Sequence, residues 1–119
     1  MTTVVRAKVI NLIPSALNKA YTVTWSGLDG DDTGDPLEMP SFSNRSIQFT
    51  GTFDSATIVL QGSNDGTNYV GLQDIEGAAI SMTSAGLVSI LEDTRYVRPS
   101  VSGGGGTCSL VATLLISEG

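Results

Sequence analysis

The sequence predicts an all-β protein, a single-domain antiparallel β-sandwich of the jelly-roll or immunoglobulin-like kind with about eight short strands. Its 119 residues include 14 glycines but only three methionines and six lysines and arginines, whereas helix surfaces favour long unbranched side chains. Short runs that alternate between apolar and polar residues recur along the chain, and Gly- and Asp-rich segments separate them. This pattern is typical of strands joined by turns. The length fits one domain with a single core.

The first predicted strand covers residues 2–10. Its central side chains alternate between apolar and basic types: Val5, Arg6, Ala7, Lys8 and Val9. Because successive side chains of a strand point to opposite faces, Arg6 and Lys8 share the face that is open to water. Residues 11–19, which contain Pro14, are predicted to form a connector.

A second strand is predicted over residues 20–26, where Tyr21, Val23 and Trp25 fall on one face. Trp25 is the single tryptophan and the main candidate for a core anchor. An aromatic platform for a sugar ring is the alternative role for this side chain. The ordinary amphipathic strand around Trp25 favours the core.

Residues 27–44 form the longest predicted loop. Its acidic residues are Asp29, Asp31, Asp32, Asp35 and Glu38. The run from 29 to 35 resembles the first half of a calcium loop, but Pro40 occupies the position of the closing bidentate Glu. We therefore favour a solvated acidic loop, with a calcium or other hard-cation site at Asp29, Asp31 and Asp35 as the alternative. A long loop of this kind can also become ordered against a neighbouring subunit.

Two adjacent runs, residues 45–50 and 56–62, are predicted to form a hairpin through a turn at 51–55. Their inward-facing apolar residues are Ile47, Phe49, Ala56, Ile58 and Leu60. The next turn contains Asn64 and the pair Asp65-Gly66, a strong hairpin signal because glycine accepts a positive φ. Asn64 and Asp65 also have side chains that can bind a sugar or an ion, but turn chemistry accounts for both.

Further short strands are predicted over residues 69–72 and 79–83. Residues 84–92 fit a short helix nearly as well as a strand, but their glycine and serine favour the strand. Residues 95–101 contain Pro99, which lacks a backbone N–H. We therefore expect this strand at a sheet edge or at a bulge.

Arg95 and Arg98 carry the only positive charge of this region. They are predicted either to pair with Glu92 and Asp93 of the same chain or to reach an acidic neighbour. Pairing within the chain is the simpler interpretation, and exposed ion pairs contribute only about 0–1 kcal/mol to stability.

Glycines 103–106 precede a last predicted strand over residues 107–116. A phosphate-binding glycine loop requires a following helix, so we exclude a nucleotide site here. Apolar residues occupy both faces of this strand: Leu110, Val111, Ala112, Leu114, Leu115 and Ile116. The strand is therefore predicted to be central in its sheet.

Composition and charge argue against several classes of function. The formal net charge is −6 and the few basic residues are scattered, which disfavours nucleic-acid binding. No stretch approaches the roughly 18 apolar residues of a membrane span, and we see no signal peptide. Without histidine, and with Cys108 as the only cysteine, we expect no enzyme activity and no cofactor. Cys108 is predicted to be a buried apolar residue.

One sequence feature is similar to a known group of proteins. The string GSNDGTNY at residues 62–69, answered later by RYVRP at 95–99 and a glycine turn, resembles small β-sandwich virion structural proteins of tailed bacteriophages. The resemblance extends over most of the chain after Trp25. It implies a capsid decoration (cement) protein that is made in the host cytoplasm, binds the major capsid protein on the head exterior and forms homo-oligomers, often trimers.

On this resemblance, residues 1–10 are expected to act as a docking arm, with Arg6 and Lys8 contacting the capsid together with the 27–44 loop. Arg95 and Arg98 are further candidates for partner contact. The alternative for the N-terminal segment is pairing within the sandwich. The alternative for the whole protein is a tail- or fibre-associated adsorption module that binds a host-surface glycan.

Overall fold

Two β-sheets with a shared core make up the residues that the computed structural model describes, namely 4–5, 7–13, 20–38 and 44–117. The twelve strands in these residues are β1 (Val4–Val5), β2 (Ala7–Ile13), β3 (Ala20–Leu28), β4 (Thr33–Gly34), β5 (Leu37–Glu38), β6 (Asn44–Thr52), β7 (Ala56–Ser63), β8 (Val70–Gly71), β9 (Ser81–Met82), β10 (Gly86–Ser89), β11 (Tyr96–Gly103) and β12 (Ser109–Ser117). Within the described ranges we find no helix that is long and apolar enough to cross a membrane.

The strands divide between a five-stranded and a seven-stranded sheet. The five-stranded sheet has the order β10-β6-β12-β3-β2, and the seven-stranded sheet has the path β1-β4-β11-β7-β8, with β5 also paired to β11 and β9 to β7. The pairs are antiparallel except β1 with β4. The predicted all-β antiparallel sandwich is therefore confirmed, and β12 is central as predicted.

Side chains from both sheets form one hydrophobic cluster. The five-stranded sheet contributes Val23, Trp25, Leu28, Ile47, Phe49, Leu110, Ala112, Leu114 and Ile116, and the seven-stranded sheet contributes Ala56, Ile58, Leu60, Val97 and Val101. Trp25 is fully buried, and its Nε1 donates a hydrogen bond to the main-chain oxygen of Asp35 at 2.9 Å. The predicted core anchor is confirmed, and this burial excludes Trp25 as a platform for a sugar. Cys108 is buried as predicted, and burial raises the pKa of its thiol.

The predicted hairpin of residues 45–50 and 56–62 is wrong. β6 pairs with β10 and β12, whereas β7 pairs with β8, β9 and β11 in the other sheet. The chain crosses between the sheets at Asp54 and Ser55, which both have positive φ (46° and 68°). Both strands still direct their apolar residues toward the core, because an arch between facing sheets preserves this alternation. The predicted turn at Asp65-Gly66 is present and closes the antiparallel pair of β7 and β8, with Gly66 at a φ of 78°.

The described part of the predicted acidic loop is not free of the sheets. β3 continues to Leu28, and β4 and β5 both pair with β11. Main-chain bonds reinforce this attachment, because the amide of Val101 donates to the oxygen of Asp32 at 2.7 Å. Residues 39–43 lie outside the described part of the chain.

Of the two positions predicted for the strand that contains Pro99, a sheet edge or a bulge, the edge is wrong, since β11 lies between β7 on one side and β4 and β5 on the other. Alternate backbone N–H groups of a strand point to the same side. Val101 donates toward β4, so the nitrogen of Pro99 faces the same way, at the interruption between β4 and β5. The missing N–H of Pro99 therefore does not interrupt the hydrogen bonds between β11 and β7.

The N-terminal segment forms two strands rather than one. β1 runs parallel to β4, and β2 pairs with β3 at one end of the five-stranded sheet. Residues 11–13, predicted as connector, belong to β2. The backbone of residues 7–10 thus pairs within the sandwich, as the alternative to a docking arm predicts. The segment 84–92 contains a strand rather than a helix, in the form of β10.

Candidate functional site

The two arginines predicted for partner contact, Arg95 and Arg98, lie near one another on the seven-stranded sheet. We call their surroundings the arginine surface, which comprises Gln61, Tyr69, Arg95, Tyr96 and Arg98. Arg98 points outward because its neighbour Val97 is buried. Its guanidinium carbon lies 3.8 Å from the centroid of the Tyr69 ring, and its Nε donates to Oε1 of Gln61 at 2.9 Å. These two contacts hold the guanidinium of Arg98 in one orientation.

Arg95 is exposed and forms an ion pair with Glu38 on β5. Its Nη2 lies 2.8 Å from Oε2 of Glu38, and its Nε donates to the same oxygen at 2.9 Å. The predicted pairing with Glu92 or Asp93 is wrong in its partners: Glu92 accepts from a backbone amide, and Asp93 lies 3.6 Å from Nε of Arg45. The bonded contact with Glu38 raises the pKa of Arg95.

The loop beside the arginine surface is organised by the carboxylate of Asp65. Its Oδ1 accepts hydrogen bonds from the amides of Thr67 and Asn68, each at 2.8 Å, and from the hydroxyl of Ser63. Its Oδ2 accepts from the side-chain amide of Asn68. These hydrogen bonds, above all the one from the backbone amide of Asn68, hold the pKa of Asp65 far below its usual range. Asp65 therefore builds the turn, as the sequence predicts.

Asn64 of this loop also has a structural role, because its side-chain Oδ1 accepts a hydrogen bond from the backbone amide of Arg95 at 3.1 Å. Tyr96 packs on the same loop, since a β-carbon at Gly66 would lie 3.2 Å from Cε2 of its ring. The loop thus supports the start of β11 and positions Arg95. Its polar side chains are engaged in the fold.

The aromatic rings of this surface are partly covered. The guanidinium of Arg98 lies over one face of the Tyr69 ring. The hydroxyl of Tyr69 is buried without a hydrogen-bond partner among the described residues. Burial raises the pKa of Tyr69. A sugar ring stacked on this tyrosine would have to use the other face or displace Arg98.

The three aspartates predicted for a cation are engaged separately. Asp31 adopts a φ of 63°, and its Oδ1 accepts from the amide of Gly103 at 3.1 Å. The amide of Asp29 donates to Oδ2 of the buried Asp32 at 2.9 Å, and the main-chain oxygen of Asp35 accepts from the core tryptophan. Within residues 20–38 and the other described segments, no group of three or more His, Cys, Asp or Glu could hold a metal ion. The structure does not bring Asp29, Asp31 and Asp35 together as ligands.

Asp29 and Asp32 form a carboxyl pair. A side-chain hydrogen bond with Asp32, and the negative charge of Asp32, raise the pKa of Asp29. Oδ1 of Asp32 is buried and lacks a hydrogen-bond partner among the described residues. A proton on Asp29 removes its negative charge and so reduces the repulsion between the two carboxyl groups.

A surface groove of about 410 Å³ lies at one end of the five-stranded sheet. Its lining residues are Asn44, Arg45, Ser46, Ile75, Ser89, Ile90 and Leu115. Arg45 is buried, its Nη1 donates to the oxygen of Thr94 at 2.9 Å, and burial lowers its pKa. Arg45 thus ties β6 to the segment before β11.

The two N-terminal residues predicted for partner contact differ in what the structure describes. Arg6 lies outside the described residues, and Lys8 lies in β2 at an irregularity of the pairing with β3. Gln61 and Arg45 are polar residues whose roles sequence reasoning missed. The alternation of each strand could have indicated which way they point. Gln61 follows the inward Leu60 and so points outward, whereas Arg45 lies two residues before Ile47 and so points inward.

No protein-family model matches the chain, and no curated protein matches it. Among solved structures, the chain is similar to the SPBc2 prophage-derived protein YomS, with a TM-score of 0.63 and 9% identity over 90% of this chain and 99% of that chain. At this identity the likeness shows a shared fold.

Two other matches are weaker. Protein NMB1881 from Neisseria meningitidis has a TM-score of 0.38 and 12% identity over 91% of this chain and 82% of that chain. A family 29 carbohydrate-binding module has a TM-score of 0.36 and 8% identity over 92% of this chain and 74% of that chain. Scores this low carry no argument about function.

Proposed function

We propose that this chain is a phage virion structural protein that decorates the capsid exterior and stabilises it by binding the major capsid protein. The observation that supports this most is the fold shared with a prophage-derived protein over 90% of this chain and 99% of that one. A decoration protein is present in many copies, and each copy presents the same ordered surface to the capsid. The β-sandwich offers an ordered surface of this kind.

The arginine surface is our candidate for the contact with the capsid. Arg98 is held by Tyr69 and Gln61, and Arg95 is held by Glu38. Side chains that are already ordered lose less conformational entropy on binding. A carboxylate of the partner could exchange with Glu38 for Arg95, because the Arg95–Glu38 pair is exposed and therefore weak.

Binding to capsids tests the proposal directly. Purified protein is mixed with expanded, emptied heads built from the major capsid protein of the phage that encodes this chain. We expect the protein to co-sediment with the heads and to raise their melting temperature. Heads that retain none of the protein, even with the protein in excess, would rule out decoration.

A matched pair of variants tests the contact. The double change Arg95→Ala and Arg98→Ala removes both charges from the arginine surface and should weaken binding at least tenfold. Ser102→Ala alters an exposed position on the same strand and should bind as the unmodified protein does. Equal binding by both variants would move the contact to another part of the molecule while leaving decoration itself intact.

Glycan adsorption is the other function that the sequence suggests, and the described aromatic residues give it little support. Trp25 is buried and Arg98 covers one face of the Tyr69 ring. Sugar sites usually present an open aromatic face with convergent polar groups. A glycan-array signal that Tyr69→Ala abolishes would favour adsorption over decoration.

A further inference from the structure

The outer face of four strands of the five-stranded sheet, β3, β6, β10 and β12, lacks charge in the residues whose side chains the structure describes. The outward residues of β3, β6, β10 and β12 alternate with buried ones and are Thr22, Thr24, Ser26, Asn44, Ser46, Gln48, Thr50, Thr52, Leu87, Ser89, Ser109, Val111, Thr113 and Leu115. None of these side chains is charged. We call them the uncharged face.

The remaining described surface is different. The formal net charge of the chain is −6, and the described acidic residues lie in turns, in the segment before β11 or on β5 of the other sheet. Arg45 is the one charged residue in the described parts of these four strands, and it is buried. Depletion of charge is a property of the centres of protein interfaces, whereas ordinary surfaces mix both signs.

Exposed apolar side chains accompany the uncharged face. Leu87 is 64% exposed and Leu115 is 38% exposed, and both belong to it. Ile75, which is 66% exposed, adjoins Leu115 at the groove of about 410 Å³. The groove gives the uncharged face a depression that apolar side chains can enter.

The size of the uncharged face corresponds to a small interface. Three strands of nine residues and β10 with four residues, at about 3.4 Å per residue and about 4.8 Å between strands, give a face on the order of 500 Å². Two such faces would bury on the order of 1,000 Å² in total, about the lower limit for a biological interface. Serine and threonine side chains also have little rotamer freedom to lose on ordering.

We propose that the uncharged face binds the same face of a second copy of this chain, sheet against sheet, across a two-fold axis. A partner of opposite charge would be recognised by complementary charges, and this face offers none. A second copy also carries a net charge of −6, so two copies can approach closely only where neither presents like charges. The two-fold arrangement makes one patch serve as both halves of the interface.

The inference goes beyond the proposed decoration of capsids and does not depend on it. Association through this face leaves the arginine surface, which lies on the other sheet, free in both copies. Oligomeric state is measured on the isolated protein without capsids. Failure of one proposal is therefore distinguishable from failure of the other.

Analytical ultracentrifugation of the full chain tests the inference at low and at high salt. We expect a reversible dimer whose dissociation constant falls as salt is added, because salt screens the repulsion between two negative copies. Thr113→Arg places a charge at the centre of the face, opposite Gln48 and Thr24. We expect this variant to be monomeric, with at least a hundredfold weaker association.

Thr57→Arg is the matched control, because Thr57 lies on the outer side of β7 in the other sheet and the variant should dimerise normally. If Thr113→Arg fails to fold, Gln48→Lys replaces it, since Gln48 is exposed. Thermal melting identifies a folding failure. A wild-type protein that stays monomeric at high concentration in both salts overturns the inference. So does a dimer that the charged variants of this face leave intact.

Discussion

Asp65 shows how one side chain can determine a loop. It is exposed, yet its two oxygens accept hydrogen bonds from Ser63, Thr67 and Asn68. Hydrogen bonds to a carboxylate favour its charged form, which is why its pKa is lowered. The same loop supports Arg95 and Tyr96, so the loop and the arginine surface depend on this charge.

Asp65→Ala should lower the melting temperature at neutral pH, and Asp65→Asn should lower it less, because asparagine retains an acceptor oxygen. A lowered native pKa contributes stability above the unfolded value of about 3.9. This contribution is lost as the pH falls from there toward the native pKa. Melting curves over acidic and neutral pH test this expectation. An Asp65→Ala deficit that stays constant down to the most acidic pH would contradict it.

Asp29→Asn should raise the melting temperature at neutral pH. The pKa of Asp29 is raised by its bond to Asp32 and by the charge of Asp32, so the native state gains stability below the unfolded pKa and loses it as the pH rises through the native pKa. Asparagine behaves as the protonated form at every pH and can donate to the unpartnered oxygen of Asp32. The gain should therefore vanish in acid.

Asp31→Asn is the control for this change. It removes the same charge two residues along the chain and keeps the oxygen that accepts from Gly103. Asparagine also tolerates the positive φ of this position. A gain for Asp31→Asn equal to that of Asp29→Asn would indicate a general charge effect instead of the carboxyl pair.

At the scale of elements, glycine allows β6 to lie close to β12. Gly51 has a φ of 112° opposite Leu110, and a β-carbon there would collide with the main-chain oxygen of Ser109. Position 51 of β6 therefore has no room for a side chain. Gly71, on β8, has no positive φ, and no atom lies within 4 Å of the place that a β-carbon would take there.

Gly51→Ala should destabilise the protein by about 1–3 kcal/mol through backbone strain, more if the strands separate. Gly71→Ala should change stability by less than about 0.5 kcal/mol, as surface substitutions usually do. Urea unfolding of both variants measures the difference. Equal stabilities of the two variants would mean that β6 can shift to accept the methyl group.

Alternation along each strand was enough to predict most of the core, because one face of every strand in a sandwich is buried. Ile47, Phe49, Ile58 and Leu60 point inward as expected, and Trp25 does too. Alternation does not report which strand pairs with which. β6 and β7 have the same pattern whether they form a hairpin or an arch, so the sequence predicted the wrong connection between them.

The candidate site was predictable only in part, for a related reason. Arg95 and Arg98 were identified as the local positive charges, but Glu38 lies 57 residues from Arg95 and becomes its partner only through the pairing of β5 with β11. The position of Pro99 inside a sheet was missed for the same reason. The expectation that proline lies at a sheet edge assumes that a continuous strand would otherwise pair with it. Here the chain beside Pro99 is divided between β4 and β5, which leaves room for a residue without an N–H.

At the scale of the whole molecule, the two sheets share one core, so we expect them to unfold together. Trp25 is the single tryptophan and is fully buried on the five-stranded sheet, next to Gly34 of the other sheet. Its fluorescence therefore reports on the contact between the sheets. Far-ultraviolet circular dichroism reports on the strands of both.

The two signals should give coincident unfolding transitions in urea, as a two-state domain requires. Phe49→Ala, which empties a fully buried position of the five-stranded sheet, should lower stability by about 3–5 kcal/mol. It should move both transitions equally. A fluorescence change that precedes the loss of circular dichroism would show that the sheets separate before their strands melt.

The position of β12 has a consequence for biosynthesis. This strand lies between β3 and β6, and it is the last of the described strands to leave the ribosome. Until it emerges, β3 and β6 have no neighbour between them and their apolar faces stay incompletely covered. Contacts between residues so distant in sequence also form slowly. We therefore expect the five-stranded sheet to assemble only once β12 has left the ribosome, with apolar surface of β3 and β6 open to chaperones until then.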